Sequence, residues 1–265
     1  MARNPYTEIE GGQPGHIGWR VHYFDEVGST QRIAAELAEQ GADQGLVVIA
    51  ESQNAGRGRM GRQWHSPPGV NLYMTIVLRP RIQIAEVPRL SLAAGVGAAE
   101  ALETVAPGMV ALKWPNDLWL KGRKTGGIIA EAVTDGRQQL ACVLLGIGIN
   151  VNLAAADIPA ELRDRATSVR AAIGRPCDRI ELAATLFNRL DCRYMETETN
   201  GFGAVRAIWE RYSALTGKSV VIVDGGTRLS GTVQGIDADG ALLLNVDGRV
   251  RRIMTGDVSV EGAYA

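Results

Sequence analysis

Histidine and cysteine are scarce in this chain, with three of each among 265 residues. His16, His22 and His65 lack metal-site spacing, and Cys142, Cys177 and Cys192 form neither a close ligand cluster nor, being odd in number, a complete disulfide framework. Cys142 sits inside an apolar strand-like run, the setting of a small buried thiol rather than a nucleophile. Zinc chemistry and a Ser-His-Asp mechanism therefore have no support. An excess of one charge is also missing. With 28 Lys and Arg against 29 Asp and Glu, the formal net charge is -1, which argues against whole-domain attraction to nucleic acid while permitting a local basic patch. No early apolar stretch resembles a secretion signal, and no run reaches the roughly 20 residues that cross a bilayer. These absences predict a soluble, cytoplasmic, globular protein without membrane contact. A G-x-x-x-x-G-K-[ST] phosphate loop is absent as well, so any phosphate must be held differently.

What is present suffices for a sizeable core: 46% of residues are apolar, and the length allows one large domain plus a small one. Residues 1–16, rich in Gly and Pro, read as a flexible lead-in. Val21 to Phe24 predicts a strand, and Ser29 or Thr30 can cap a helix whose inward face is Ile33, Ala34, Leu37 and Ala38. Leu46 to Ala50 and Asn71 to Leu78 predict strands, and Leu90 to Glu103 a helix. Val110 to Trp114, Ile128 to Val133 and Leu140 to Val151 predict further strands, before helices at Ile180 to Met195 and Ala204 to Tyr212. From Val220 onward, five short strands separated by Asp-Gly-type turns indicate a small β barrel, with a boundary near residue 216. The expected domains are 17–215 and 216–265.

The segment ESQNAGRGRMGRQW, Glu51 to Trp64, sets three arginines among glycines between two predicted strands. Glycine lets backbone lie close to a ligand, while Arg57, Arg59 and Arg62 present planar forks of donors to phosphate or carboxylate oxygens. Arg-Gly repeats also occur in disordered RNA-binding tails. A short loop bracketed by strands instead predicts an ordered anion site. Further on, Lys113 and Asp117 flank Trp-Pro-Asn, and Lys124 stands beside Gly126-Gly127. Each charge alone is commonplace, as an edge residue, a turn former or a solvated loop charge. Together with the arginine loop they match the needs of phosphoryl chemistry, which requires cations near developing oxygen charge and a carboxylate to organise them.

GSTQ (Gly28–Gln31), ESQNAGRGRMGRQWHSP (Glu51–Pro67), KWPNDLWLKGRKTGGIIAE (Lys113–Glu131) and GIGIN (Gly146–Asn150), in this order, resemble the catalytic domain of the bacterial biotin protein ligases. The resemblance runs from about Tyr23 to the end. It implies an α/β fold, an α+β catalytic domain with a mixed, largely antiparallel central sheet, followed by an SH3-like carboxy-terminal β barrel. It also implies a two-step reaction: ATP and biotin form biotinyl-5'-adenylate, and a lysine of a biotin carboxyl carrier protein then takes the biotinyl group. By the same resemblance, Ser29, Thr30, Gln31, Gln53, Gly56, Arg57, Gly58, Lys124, Gly127, Gly146 and Gly148 belong to the biotin side. Arg57, Arg59, Arg62, Trp64, Asn116, Lys124 and Asn150 belong to the ATP or adenylate side. Lys124, Asp117, Lys113 and Arg59 are the catalytic candidates, with Asp117 a ligand for Mg2+ or a group acting on the acceptor amine.

The chain departs from the family pattern at Met60, where another arginine is common, and at Gly126, where alanine is common. Ligand-coupled ordering of the arginine loop is expected, because its glycines restrain little and its cations repel one another. GSTQ begins at residue 28, leaving no room for an amino-terminal winged helix-turn-helix, so the expectation is a monofunctional enzyme without specific DNA binding. A monomer or a homodimer fits the sequence equally. Lipoate ligation and a noncatalytic ligand sensor are the competing readings.

Overall fold

The computed structural model describes residues 4–7, 19–224 and 226–260. Most of the expected lead-in thus lies outside the described residues; within 4–7, Tyr6 is buried and its ring centroid lies 6.0 Å from that of Tyr23.

Seven strands form one mixed sheet: β1 (Arg20–Val27), β2 (Leu46–Gln53), β3 (Leu72–Leu78), β4 (Val110–Lys113), β5 (Asp117–Leu120), β6 (Arg123–Thr134) and β7 (Leu140–Ile149). Their order is β1-β2-β3-β7-β6-β5-β4, with β1 and β2 parallel and every other pair antiparallel. The mixed, mostly antiparallel character expected from the sequence is observed. Helix α1 (Thr30–Glu39) supplies the crossover that lets β2 lie parallel to β1.

Side chains alternate across a strand, so each strand serves two layers. One face buries Val47, Ile49, Met74, Ile76, Val143, Leu145 and Ile147 in a core shared with α2 (Val87–Glu103), α3 (Arg179–Asn200) and α4 (Phe202–Tyr212). The other face buries Leu46, Val48, Val77, Cys142 and Leu144 under Ala34 and Ala38 of α1. Continuing that second parity toward the start of α1 gives Thr75 and Tyr73 on β3, Gly146 and Gly148 on β7, and Ile129 and Gly127 on β6. The apolar residues give way to glycine and hydroxyl groups where α1 no longer covers the sheet.

Two strand assignments differ from expectation. β5 was not anticipated, because four residues after a Trp-Pro-Asn turn are too few to show periodicity. β6 begins at Arg123 rather than Ile128, since Gly126 and Gly127 conceal the alternation, and Lys124 therefore sits on a strand.

The carboxy-terminal region forms β8 (Ser219–Asp224), β9 (Thr227–Ile236), β10 (Leu242–Val246), β11 (Arg249–Ile253) and β12 (Asp257–Val260). The expected SH3-like barrel is not found. The strands run β11-β10-β9-β8-β12 in an open sheet, and among the described residues no ladder joins β11 to β12. Turn chemistry and alternation specify pairing between chain neighbours but carry no signal for closure. Here β12 has only four residues, and β11 exposes Arg249, Arg251 and Arg252, a charged edge that discourages further pairing. The two sheets share one continuous core, which takes in Val220, Ile222, Val233, Leu242 and Val258. Trp114 Nε1 donates to the Gly240 carbonyl at 2.9 Å, and Arg89 pairs with Asp239 across the junction. Among the described residues no helix is long and apolar enough to cross a membrane.

Candidate functional site

Where α1 leaves the sheet uncovered, a cavity of about 990 Å³ opens between the two sheets. Every residue assigned above to the biotin side, the adenylate side or catalysis lines it except Gly56. Gly56 instead underpins the arginine loop: a Cβ there would lie 2.8 Å from the Trp64 carbonyl oxygen and 2.9 Å from Ser66 Oγ.

The loop is a small hairpin. Arg57 and Gln63 form an antiparallel bridge, Trp64 N donates to the Gly56 carbonyl at 2.9 Å, and Gly58 N donates to the Arg62 carbonyl at 2.6 Å. Its tip, Arg59 to Gly61, is a 3-10 turn with Met60 exposed and in the left-handed region at φ 56°. Arg59 Nη1 donates to Asn116 Oδ1 at 3.4 Å, and Arg62 pairs with Asp257 of β12. The hairpin thereby touches both sheets.

Beneath it, the register places Lys113 opposite Asp117, and Asp117 opposite Gly127. Lys124 Nζ lies 2.5 Å from Asp117 Oδ1 and 5.5 Å from the centre of the Trp64 ring. Lys113 Nζ lies 5.1 Å from the centre of the Trp119 ring. Burial pulls the Lys113 pKa below the ordinary lysine value; Asp117 opposes that shift and Lys124 adds to it. Two ammonium groups and one carboxylate thus share a partly desolvated corner.

The floor of the cavity is bare backbone. A Cβ on Gly148 would come within 2.8 Å of Trp64 Cε2, and one on Gly146 within 2.5 Å of Gln31 Oε1. Gly126 serves a related purpose, since its Cβ would meet the Gly148 carbonyl oxygen at 2.7 Å. Close packing against the neighbouring strand accounts for glycine there. Trp64 Nε1 is buried against this floor without a partner.

At the other end lies a polar network. Gln53 Oε1 accepts from Thr30 N at 2.9 Å, and Gln53 Nε2 donates to Ser66 Oγ at 3.0 Å. Thr75 Oγ1 lies 2.9 Å from Thr30 Oγ1 and 3.1 Å from Gln31 Oε1. Gln31 Nε2 donates to Glu131 Oε2 at 3.1 Å and to the Leu144 carbonyl at 3.3 Å. Ser29, buried, is the N-cap residue of α1. Asn150, on the cavity wall, is anchored on both sides: its Nδ2 donates to the Thr167 carbonyl at 3.1 Å, and its Oδ1 accepts from Asn71 at 3.4 Å.

Sequence reasoning missed Thr75, Glu131 and Asp257 as wall residues. Thr75 left a faint mark, a lone hydroxyl within the apolar run LYMTIVL. Asp257 left none, being distant in sequence from the arginine it meets. Cys142 and Cys177 are buried and Cys192 is exposed, and none of the three lines the cavity. Among the described residues no three His, Cys, Asp or Glu side chains are placed to share a metal.

A glycine-floored cavity with a cationic hairpin above and ordered amides and hydroxyls at one end offers cations to an anionic group and hydrogen-bonding partners to a polar one. Residues 23–150 match the Biotin/lipoate A/B protein ligase family, and residues 216–260 match the Biotin protein ligase C terminal domain. The bifunctional ligase/repressor BirA of Bacillus subtilis is 36% identical over 244 residues, covering 92% of this chain and 75% of that protein. The biotin--[acetyl-CoA-carboxylase] ligase of Mycobacterium tuberculosis is 34% identical over 252 residues, 91% of this chain and 89% of its own. Biotin protein ligase from Aquifex aeolicus, solved with biotin and ATP, superposes with a TM-score of 0.79 at 29% identity, covering 91% of this chain and 98% of that one. The chain belongs to the biotin protein ligase family.

Proposed function

We propose that this protein is an ATP-dependent biotin protein ligase. The observation that carries the reading is the convergence, in one cavity, of Lys124 and the three hairpin arginines at one end with the amide and hydroxyl network at the other. In the first step a biotin carboxylate oxygen attacks the α-phosphorus of ATP; the bond to the β-phosphate breaks and pyrophosphate leaves. In the second, the neutral ε-amino nitrogen of a carrier lysine attacks the acyl carbon; the bond to AMP breaks and one proton is released.

The residues divide the work by charge and position. Lys124, held by Asp117, draws the carboxylate and the α-phosphate together, two anions that otherwise repel. Arg57, Arg59 and Arg62 hold phosphate oxygens, Arg59 being aimed by Asn116. Trp64, lying over Gly148, covers the mixed anhydride from water. Ser29, Thr30, Gln31 and Gln53 take the polar ring of biotin. Asp117 is the carboxylate of this corner and would hold Mg2+ together with the ATP phosphates, since among the described residues no further acidic groups stand with it to complete a cage. The acceptor is a biotin carboxyl carrier protein or domain.

The carboxy-terminal match, to the Biotin protein ligase C terminal domain, favours biotin over lipoate. The test supplies ATP, magnesium and a purified carrier domain with either biotin or lipoate and measures mass gain on the carrier lysine. Transfer of biotin is expected; transfer of lipoate alone, or of neither acid by folded protein, overturns the assignment.

A further inference from the structure

The acceptor of the second step arrives as a cation, because a lysine side chain in water is protonated at neutral pH. The corner it must reach is already cationic. Lys113 feels the charges of Asp117, Lys124, Asp257 and Arg62, so three cations and two carboxylates share one neighbourhood. Among the described residues three carboxylates line the cavity: Asp117, Glu131 and Asp257. Asp117 is mostly buried and held by Lys124 at 2.5 Å, and Glu131 stands at the far end beside Gln31. Asp257, its side chain 43% exposed, alone combines access from outside with nearness to the reacting corner.

In the ligand-free chain Arg62 covers Asp257, but both partners are widely exposed, so the pair is weak and exchangeable. Arg62 has a stronger anion to go to. The ATP phosphates, which the hairpin arginines hold in the reading above, draw the guanidinium away and uncover the carboxylate. The surface around that carboxylate is apolar. Met60, 65% exposed at the hairpin tip, sets its sulfur 3.9 Å from the same Arg62 Nη2 that meets Asp257. Val223, also exposed, lies directly opposite Asp257 in the β8–β12 ladder. An arginine at position 60 would add a fourth cation to this entrance; methionine leaves it apolar.

We propose that Asp257 is the seat of the acceptor: once Arg62 turns to phosphate, the freed carboxylate takes the ε-ammonium group of the carrier lysine, while Met60 and Val223 pack against its apolar stem and the chain on either side. This rests on the biotin ligase reading above. The exchange orders the reaction, because the carrier finds its carboxylate only after nucleotide has taken Arg62. Further in, Lys113 and Lys124 disfavour another ammonium, so the proton passes to water and the neutral amine goes on to attack.

The test loads the full chain with biotinol-5'-adenylate, whose methylene in place of the acyl carbonyl prevents transfer, and titrates it with two purified carrier domains, one natural and one with methionine in place of the acceptor lysine. The natural carrier is expected to bind about tenfold more tightly, a preference that falls to within about twofold in Asp257→Asn and in the unmodified chain without nucleotide, and that Asp257→Glu largely keeps. Met60→Ser should weaken both carriers alike; unaltered binding would remove Met60 from the docking surface. In turnover with biotin and ATP, Asp257→Asn should raise the carrier KM about tenfold while single-turnover pyrophosphate release stays within about threefold. An undiminished lysine preference in Asp257→Asn, the same preference with and without nucleotide, or equal slowing of both steps would overturn the role of Asp257. Failure of the unmodified chain to release pyrophosphate from ATP with biotin would instead overturn the ligase assignment itself.

Discussion

Replacing Lys124 with alanine tests the chemistry most directly. The side chain is about one-third exposed, and its Nζ lies 2.5 Å from Asp117 Oδ1, whose side chain is 18% exposed. Removal leaves that carboxylate without its nearest cation, but Lys113 remains directly across the β4–β5 pair and restores part of the balance. The stability loss should therefore stay near about 1–3 kcal/mol, the range for a buried polar group that loses a partner. The rate is expected to suffer more. Losing one preorganised donor at a centre of developing charge costs about 2.7–4 kcal/mol of transition-state stabilisation, or roughly a hundred- to a thousandfold. Single-turnover pyrophosphate release would measure the first step, and transfer from preformed biotinyl-adenylate would isolate the second. Asp117→Asn is the control: it keeps the ammonium and should slow adenylation less. Adenylation by Lys124→Ala within about threefold of the unmodified chain would refute the reasoning, whatever the change in stability.

Other consequences follow from single contacts. The depressed pKa of Lys113 means that folding carries its ammonium at a cost, so stability should rise as pH climbs from the folded value toward 10.5; Lys113→Met should abolish that gain when urea midpoints are compared at about pH 8 and about pH 10. Gly148→Ala would force the new methyl to within 2.8 Å of the Trp64 ring, and loss of biotin and nucleotide binding with retained folding is expected by titration and circular dichroism. Asp257→Asn removes an exposed ion pair, so global stability should change by less than about 1 kcal/mol while limited proteolysis within Gly56–Arg62 accelerates. Unchanged cleavage would show that the hairpin does not depend on β12.

Much of this arrangement was legible in the sequence because local chemistry determined it. Short apolar runs rich in β-formers marked β2, β3 and β7, and the sites of turning chain around Gly56 and Asn116 were visible as Gly and Pro-Asn punctuation. The motifs also named most of the cavity wall, but not the parts supplied by β3, by residues 153–166 and by β8, β9 and β12. What stayed hidden depends on distant partners. Glu131 fell inside the predicted strand Ile128 to Val133, and nothing local showed that Gln31, one hundred residues earlier, donates to it. Lys124 looked like a loop charge because glycines at 126 and 127 carry no hydrophobic mark. The barrel was overcalled because neighbouring hairpins look alike whether the outer strands meet or not.

The bare stretch of β7 has one more consequence, for redesign. Gly146 and Gly148 already carry the smallest side chain available, so no mutation can deepen the pocket from that side. Headroom for bulkier acids can be created only overhead, by trimming Gln31 or Trp64, the two groups that rest on those glycines. The backbone acts as a fixed gauge of thickness, and the tunable surface is the one that faces it.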